Sequence, residues 1–282
     1  MNCALDALIG LLPSWMRSDV DKHGKVDLQE IRMRINLPAE LITASGIIVL
    51  NRKIRSEDIE YCINAASRYS PWTAQTAAQG YITACGGHRI GVCGEAVISN
   101  GAMIGLRKAT TLCVRVARDF PGISKGIPLH NRSILIIGRP GSGKTTLLRD
   151  LIRNYSDSTQ GSISVVDERG EIFPFLNGTS IFLTGKHTDI LSGCRKDAGI
   201  DSVLRCMGPS AIAIDEITAQ ADTMALQNAA YCGVQLFATA HAGSKQEFLQ
   251  RTVYRSIIES RIFDTLLIMQ QDKSWKMERI SI

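Results

Sequence analysis

The chain has 282 residues, of which 45% are apolar and 21% are charged, and its formal net charge is +5. This composition is typical of a globular protein long enough for two domains, and so small an excess of basic residues does not indicate nucleic-acid binding. No apolar run approaches the roughly 20 residues of a membrane-spanning helix. The N-terminus carries no basic cluster of the kind that opens a secretory signal, so we expect a cytoplasmic protein.

The cysteines predict reduced thiols and no zinc site. Eight are present, and no two of them form a C-x-x-C pair or share a zinc-binding spacing with histidine. In a cytoplasmic protein such residues usually act as small apolar side chains.

Residues 1–118 predict a small α+β domain. Segments with apolar residues at helical spacing are followed by segments in which apolar and charged residues alternate, as in half-exposed strands. Ser70 and Pro71 have the chemistry of a helix start, and Gly80 that of a helix end. The pair Gly86-Gly87 indicates a hairpin turn. The predicted elements are helices over 3–16, 58–69 and 71–79, and strands over 28–35, 81–85, 88–92 and 112–117.

Residues 119–131 hold two prolines and two glycines and predict a linker to a second domain at 132–282. In that domain strands alternate with helices, which predicts a mostly parallel sheet with helices on both faces. Ligands of such sheets bind at the carboxyl ends of the strands. The predicted strands are 133–137, 162–166, 211–214, 235–239 and 264–269, with an edge strand at 275–281.

A phosphate-binding loop stands between the first strand and the first helix of this second domain. Residues 138–145 match G-x-x-x-x-G-K-[ST] at every fixed position. Glycines let backbone N–H groups surround an oxyanion, and a helix N-terminus adds free N–H groups. Lys144 would contact the β- and γ-phosphates, and the hydroxyl of Thr145 would bind Mg²⁺. The predicted ATP-binding residues are Gly138, Arg139, Pro140, Gly141, Ser142, Gly143, Lys144, Thr145 and Thr146.

Acidic residues follow two other predicted strands of the same sheet. Asp215 and Glu216 end the strand at 211–214, where Asp215 would hold Mg²⁺ and Glu216 would act as general base on the attacking water. Residues 167–171 place four charged side chains after the strand at 162–166. They form either a solvated set of ion pairs or a second acidic box that orients water or Mg²⁺, and we favour the box, with Glu168 as its main residue.

Thr239 and His241 lie where the strand at 235–239 ends. A hydroxyl and an imidazole at this place could bond the γ-phosphate and report its loss, although a single histidine is more often structural. We interpret His241 as a sensor of the nucleotide.

Arginines near the end of the first domain are candidates for stabilising the transition state. Between residues 86 and 118 the only acidic residue is Glu95, so the positive charge of the arginines is not balanced nearby. An arginine that neutralises the transferred phosphoryl group can be worth about 10³–10⁵ in rate. The alternative is an exposed basic face. The candidates are Arg89, Arg107, Arg115 and Arg118. If they serve catalysis, the linker would let them reach a neighbouring subunit's nucleotide, which implies a ring.

These motifs resemble the secretion-superfamily ATPases, which drive type II and type IV secretion and pilus movement. Within that superfamily they are most similar to the stage III sporulation protein AA family. The segments that carry the similarity are 30–35, 86–91, 106–107, 114–118, 166–171, 207–216 and 239–242, together with the phosphate loop.

The resemblance implies a P-loop NTPase core of RecA-like fold, preceded by a smaller domain that is PAS-like in the family. It implies a homo-hexameric ring that hydrolyses ATP with Mg²⁺, with catalytic roles for Glu216, Glu168, His241, Arg107 and Arg115. The expected partners are integral membrane proteins of a sporulation or secretion channel. The protein would then lie on the cytoplasmic, mother-cell face of the inner membrane, bound through those partners.

Two other classes of function stay open at this point. A RecA-like nucleic-acid motor would show a basic groove interleaved with aromatic side chains, and aromatic residues make up only 6% of the chain. A non-hydrolysing nucleotide switch would not need two acids that orient water, such as Glu168 and Glu216. Both observations favour the hydrolysing motor.

Overall fold

A computed structural model describes residues 2–3, 5–24, 27–67, 80–159, 161–176 and 178–280. The chain divides into two compact units, of which the first comprises Met1–Asp119 with Pro174–Ile181 and the second Phe120–Phe173 with Phe182–Ile282. The helix predicted over 71–79 lies outside the described residues. In the described part of the chain, no helix is both long and apolar enough to cross a bilayer.

The first unit is built on a six-stranded antiparallel sheet with the strand order β4-β3-β2-β7-β6-β5. A pair of two-residue strands, β1 and β8, and the small hairpin β11–β12 complete its strands. The strands are β1 (Asn2–Cys3), β2 (Leu28–Arg34), β3 (Pro38–Thr43), β4 (Ile47–Lys53), β5 (Tyr81–Thr83), β6 (Arg89–Ser99), β7 (Ala102–Arg115), β8 (Arg118–Asp119), β11 (Phe175–Leu176) and β12 (Thr179–Ser180).

The helices of the first unit are α1 (Leu5–Gly10), α2 (Ser14–Gly24) and α3 (Ser56–Ser67). The prediction of one helix over 3–16 is wrong, because Pro13 lacks the N–H that a continuing helix needs and the second helix begins directly after it. The apolar residues that suggested a helix are still buried: Leu8 of α1, Met16 of α2 and Leu12 between the two helices are fully buried in the core of this unit.

The strand predicted at 112–117 is the last part of a much longer one. β6 and β7 pair from Arg89↔Arg115 to Ser99↔Ala102, leaving a two-residue loop of Asn100 and Gly101. Both loop residues have positive φ, 50° and 76°, as a type I′ turn requires. The Asn-Gly pair is a sequence signal for this turn that the prediction overlooked.

The second unit contains a seven-stranded sheet with the order β13-β10-β14-β15-β9-β16-β17. All its neighbouring strands are parallel except β17, which pairs antiparallel with β16 at the edge. The predicted parallel sheet is therefore confirmed. The strands are β9 (Ile134–Gly138), β10 (Ile163–Asp167), β13 (Thr188–Ser192), β14 (Ala211–Ile214), β15 (Gln235–His241), β16 (Thr265–Met269) and β17 (Trp275–Arg279).

One strand of this sheet, β13, was not predicted. It lies at the edge opposite β17, and its residues are half-buried or exposed, so its sequence Thr-Asp-Ile-Leu-Ser lacks the continuous apolar run of the central strands. By contrast, all five residues of β9 are buried, as expected for a strand covered on both faces.

The helices of the second unit are α4 (Lys144–Ser158), α5 (Lys196–Cys206), α6 (Gln220–Tyr231), α7 (Lys245–Gln250) and α8 (Arg255–Ser260). α4 buries Leu147, Leu148, Leu151 and Ile152, which fixes the direction in which its N-terminus meets the end of β9. Its Asp150 carboxylate accepts hydrogen bonds from the backbone N–H of Gly122 and Ser124 at 2.9 and 2.7 Å, so this part of the glycine- and proline-rich segment is fixed to the second unit.

Candidate functional site

The loop between β9 and α4 has the tight, glycine-dependent shape of a phosphate-binding loop. Gly141 and Gly143 have φ of 76° and 97°, a region that other residues rarely adopt. A Cβ on Gly138 would lie 2.5 Å from Ser142 Oγ and 2.8 Å from Met269 Cβ. α4 begins directly after the loop, at Lys144, so the predicted order of strand, loop and helix is confirmed.

The N-terminus of α4 presents donors for an anion. Its N-cap residue is Gly143, and among the described residues no side chain caps the helix there, so the N–H groups of the first turn can receive an oxyanion. Lys144 is 7% exposed, and its Nζ donates to the carbonyl oxygens of Gly138 and Arg139, each at 3.1 Å. Burial lowers the pKa of Lys144, against the opposing attraction of Asp215 and Glu216.

Oxygen ligands suited to Mg²⁺ meet beside this loop. Thr145 Oγ1 donates to Asp215 Oδ2 at 2.6 Å, and Thr239 Oγ1 donates to Asp215 Oδ1 at 2.5 Å. Within the described residues, no group of three or more His, Cys, Asp or Glu side chains could hold a metal. One hydroxyl and one carboxylate fit Mg²⁺, because this ion is usually bound by few protein ligands and completes its shell with water and substrate phosphates.

Glu216 is held in a left-handed backbone conformation, with φ of 54°, and its N–H donates to Thr239 Oγ1 at 2.8 Å. The single hydroxyl of Thr239 therefore bonds to both members of the Asp215-Glu216 pair. Arg169 Nη1 lies 3.7 Å from Glu216 Oε2, on the side facing the loop after β10.

His241 lies between Lys144 and Glu216. Its Nδ1 is 3.1 Å from Lys144 Nζ, and its Nε2 is 3.0 Å from Glu216 Oε1. Because the ammonium can only donate, Nδ1 accepts and Nε2–H donates, which describes a neutral imidazole. The histidine is thus in direct contact with two groups predicted to act on the nucleotide.

The two acids after β10 have different roles. Asp167 accepts hydrogen bonds at 2.9 Å from the backbone N–H groups of Glu171, Ile172 and Phe173, so it shapes the loop. Burial raises the pKa of Asp167 to about 6, although these three hydrogen bonds act in the opposite direction. Glu168 instead points to Lys196, whose Nζ donates to its Oε2 at 2.5 Å.

Both acidic segments open onto one cavity at the carboxyl edge of the sheet. Glu216 lines this cavity and contacts His241, which in turn contacts Lys144. This arrangement follows from the parallel sheet, since β10 and β14 are neighbours and end at the same edge. The lining residues are Asp167, Glu168, Arg169, Glu171, Lys196, Asp215, Glu216 and Thr218.

The predicted catalytic arginines belong to the first unit. Arg115 ends β7, is 68% exposed, and has its Nε 3.9 Å from Glu30 Oε2. Arg107 is exposed on the same strand and lines a separate cavity of that unit, between α3 and the β6–β7 hairpin.

Two residues of the site were not selected from the sequence. The sequence suggests Thr239 only as a contact for phosphate, whereas in the structure its hydroxyl bonds to both Asp215 and Glu216. Lys196 is the first residue of α5 and belongs to none of the motifs. Lysines are usually exposed, and no sequence signal indicates that Lys196 is buried against Glu168.

The family model for sporulation stage III, protein AA matches residues 12–279. A protein of Bacillus subtilis (strain 168) named stage III sporulation protein AA is 34% identical over 95% of this chain and 92% of its own length. The chain belongs to the stage III sporulation protein AA family. The protein ycf45 of Porphyra purpurea is also similar, at 25% identity over 93% of this chain, but this chain covers only 45% of it.

Two solved structures share the fold of this family member. The first is the ATPase DotB of Legionella pneumophila, with a TM-score of 0.61 at 15% identity; the match covers 95% of this chain and 80% of DotB. The second is the pilus retraction motor PilT with bound ADP, with a TM-score of 0.59 at 15% identity; the match covers 89% of this chain and 76% of PilT. These similarities, with the parallel sheet and its loop, establish a P-loop NTPase fold preceded by a small N-terminal domain.

Proposed function

We propose that this protein binds ATP with Mg²⁺ and hydrolyses it. The observation that carries the proposal is the 2.6 Å contact between Thr145 Oγ1 and Asp215 Oδ2 beside the phosphate loop. A hydroxyl from the loop and a carboxylate that follows another strand of the same sheet are the two protein ligands that P-loop enzymes use for Mg²⁺. When bound, the ion would neutralise charge on the β- and γ-phosphate oxygens.

The other residues of the site have roles that suit hydrolysis. Lys144 would leave the carbonyl oxygens of the loop and contact the β- and γ-phosphates. Glu216 lies next to the metal ligand Asp215 and would accept a proton from the attacking water. His241 contacts both Lys144 and Glu216, so it would respond when the lysine moves to a phosphate. Glu168 would orient water from the opposite wall of the cavity.

We further propose that the protein works as a ring motor, a homo-hexamer at the cytoplasmic face of a membrane-spanning assembly. During endospore formation this assembly would be the channel from the mother cell to the forespore. Membership of the sporulation family supports this proposal, as does a fold shared with a pilus retraction motor. Arg107 and Arg115 would act on the nucleotide of a neighbouring subunit.

Phosphate release from ATP and binding of a fluorescent ATP analogue test the proposed activity. We expect Mg²⁺-dependent turnover by the wild-type protein, none by Lys144→Ala, and tight binding without turnover by Glu216→Gln. Lys276→Ala, at an exposed lysine of β17, is the matched control and should behave as wild type. Wild-type protein that binds the analogue and releases no phosphate would instead support a nucleotide switch.

A mixture of two inactive variants tests catalysis between subunits. Arg115→Ala and Lys144→Ala each lack one part of the site, and a mixed ring can bring an intact arginine to an intact phosphate loop. Recovered turnover in the mixture supports a shared site. No recovery, in mixed rings verified by light scattering, argues against a role for Arg115 across an interface.

A further inference from the structure

Lys196 is a buried cation for which the proposed chemistry so far gives no role. It is the first residue of α5, where the positive end of the helix dipole disfavours another positive charge. Its side chain is only 7% exposed. A buried ammonium is costly unless anions compensate it, so its position must be explained by its partners.

The two anionic partners of Lys196 come from different elements, a loop and the first turn of α6. Its Nζ is 2.5 Å from Glu168 Oε2 and 3.8 Å from Asp222 Oδ2. Glu168 follows β10. Asp222 accepts hydrogen bonds from the backbone N–H groups of Thr218 and Ala219 at 3.0 and 3.1 Å. Lys196 therefore joins the loop that carries Glu168 to the turn that directly follows Glu216.

The environment of Glu168 indicates how its contact with Lys196 affects the carboxylate. Its side chain is 34% exposed, so without the ammonium its three rotatable bonds would allow the carboxylate to turn toward solvent. Its Oε1 has no hydrogen bond to any of the described residues, while the side chain lines the cavity shared with Asp215 and Glu216. The lysine thus occupies one oxygen and leaves the other for water or substrate.

We propose that Lys196 is a positioning residue for ATP hydrolysis, which holds the Glu168 carboxylate in the cavity and fixes it relative to the turn after Glu216. This inference rests on the proposed ATPase activity. Lys196 contacts neither the phosphate loop nor the Thr145–Asp215 pair in the described structure, so nucleotide binding should not depend on it. A misplaced group that orients water costs turnover and leaves affinity unchanged.

The test is a double-mutant cycle on ATP turnover with Lys196→Met, Glu168→Gln and the double variant. Methionine keeps the length and apolar stem of lysine and removes its charge. We expect Lys196→Met to lower kcat by about 10- to 100-fold, the range for misplaced catalytic groups, with KM and analogue affinity within about threefold of wild type. If Lys196 acts through Glu168, the double variant will be no slower than Glu168→Gln alone.

Lys276→Met is the matched control for the loss of a lysine, and thermal unfolding of each variant verifies that it is folded. If Lys196→Met does not fold, Lys196→Leu, which also removes the charge and the donor, replaces it in the same cycle. A Lys196 variant with wild-type kcat, or a double variant in which the two losses multiply, overturns the inference alone. Absence of turnover in the wild-type protein overturns the proposed activity and this role with it.

Discussion

The hydroxyl of Thr239 bonds to both halves of the Asp215-Glu216 pair, and replacing Thr239 by Val removes it without changing the shape of the side chain. Thr239 is fully buried, so water cannot easily take the place of the hydroxyl. The substitution leaves the N–H of Glu216 without its 2.8 Å acceptor and Asp215 Oδ1 without its 2.5 Å donor.

The expected cost follows from these two bonds. A buried backbone donor left unpaired costs about 1–3 kcal/mol, and a hydrogen bond to a charged group contributes about 1.5–3 kcal/mol. Asp215 keeps its bond to Thr145, so we take the lower part of each range and expect Thr239→Val to lower the free energy of unfolding by about 3 kcal/mol. Turnover should fall about 100-fold, because Glu216 loses the bond that fixes its backbone.

Thr239→Ser is the matched control, because it keeps the hydroxyl and removes one methyl group, at a cost of about 1 kcal/mol. Urea unfolding measures the stability of both variants, and phosphate release measures kcat. The valine variant should be less stable than the serine variant by about 2 kcal/mol and much slower. If the two variants agree in both measurements, the Thr239 hydroxyl does not hold this pair and the reasoning fails.

Two further changes test the phosphate loop and the buried acid. Gly138→Ala places a Cβ 2.8 Å from Met269 Cβ, so we expect at least tenfold weaker binding of an ATP analogue in titrations, whereas Gly101→Ala should bind as wild type. Asp167 has a folded-state pKa of about 6 against 3.8 when unfolded, so its contribution to stability is largest below pH 4 and is lost as the pH rises through 6. Relative to Asp167→Asn, wild-type protein should lose about 2 kcal/mol in urea unfolding between pH 4 and pH 7; a difference that is constant with pH would contradict this.

The central elements of the second unit could be predicted because their structure follows from residues that are close together in the sequence. The apolar runs before Gly138 and Asp215 have the length of buried strands and are too short for typical helices. In the phosphate loop, glycine spacing and the following lysine reflect backbone geometry that few other structures require. These local signals also predict that Thr145, Asp215 and Glu216 lie at one edge of the sheet.

Elements with weak local signals were missed. β13 is half-polar, and its status as a strand depends on pairing with β10 through Ile163↔Thr188 to Asp167↔Ser192. The opening segment has helical periodicity on both sides of Pro13, so its apolar pattern did not reveal the break. The long β6–β7 hairpin could have been predicted from Asn100-Gly101, since that pair specifies a two-residue turn.

The phosphate loop, the parallel sheet and the acids at the strand ends are predictable from local sequence, because each depends on residues that are neighbours in the chain. Which of these groups touch depends on how the chain folds. His241 meets Lys144 across 97 positions of sequence, and Lys196 meets Glu168 across 28. Such contacts depend on the order of the strands in the sheet and on burial. In the folded chain Lys196 is buried in the wall of the site, where the carboxylates of Glu168 and Asp222 compensate its charge.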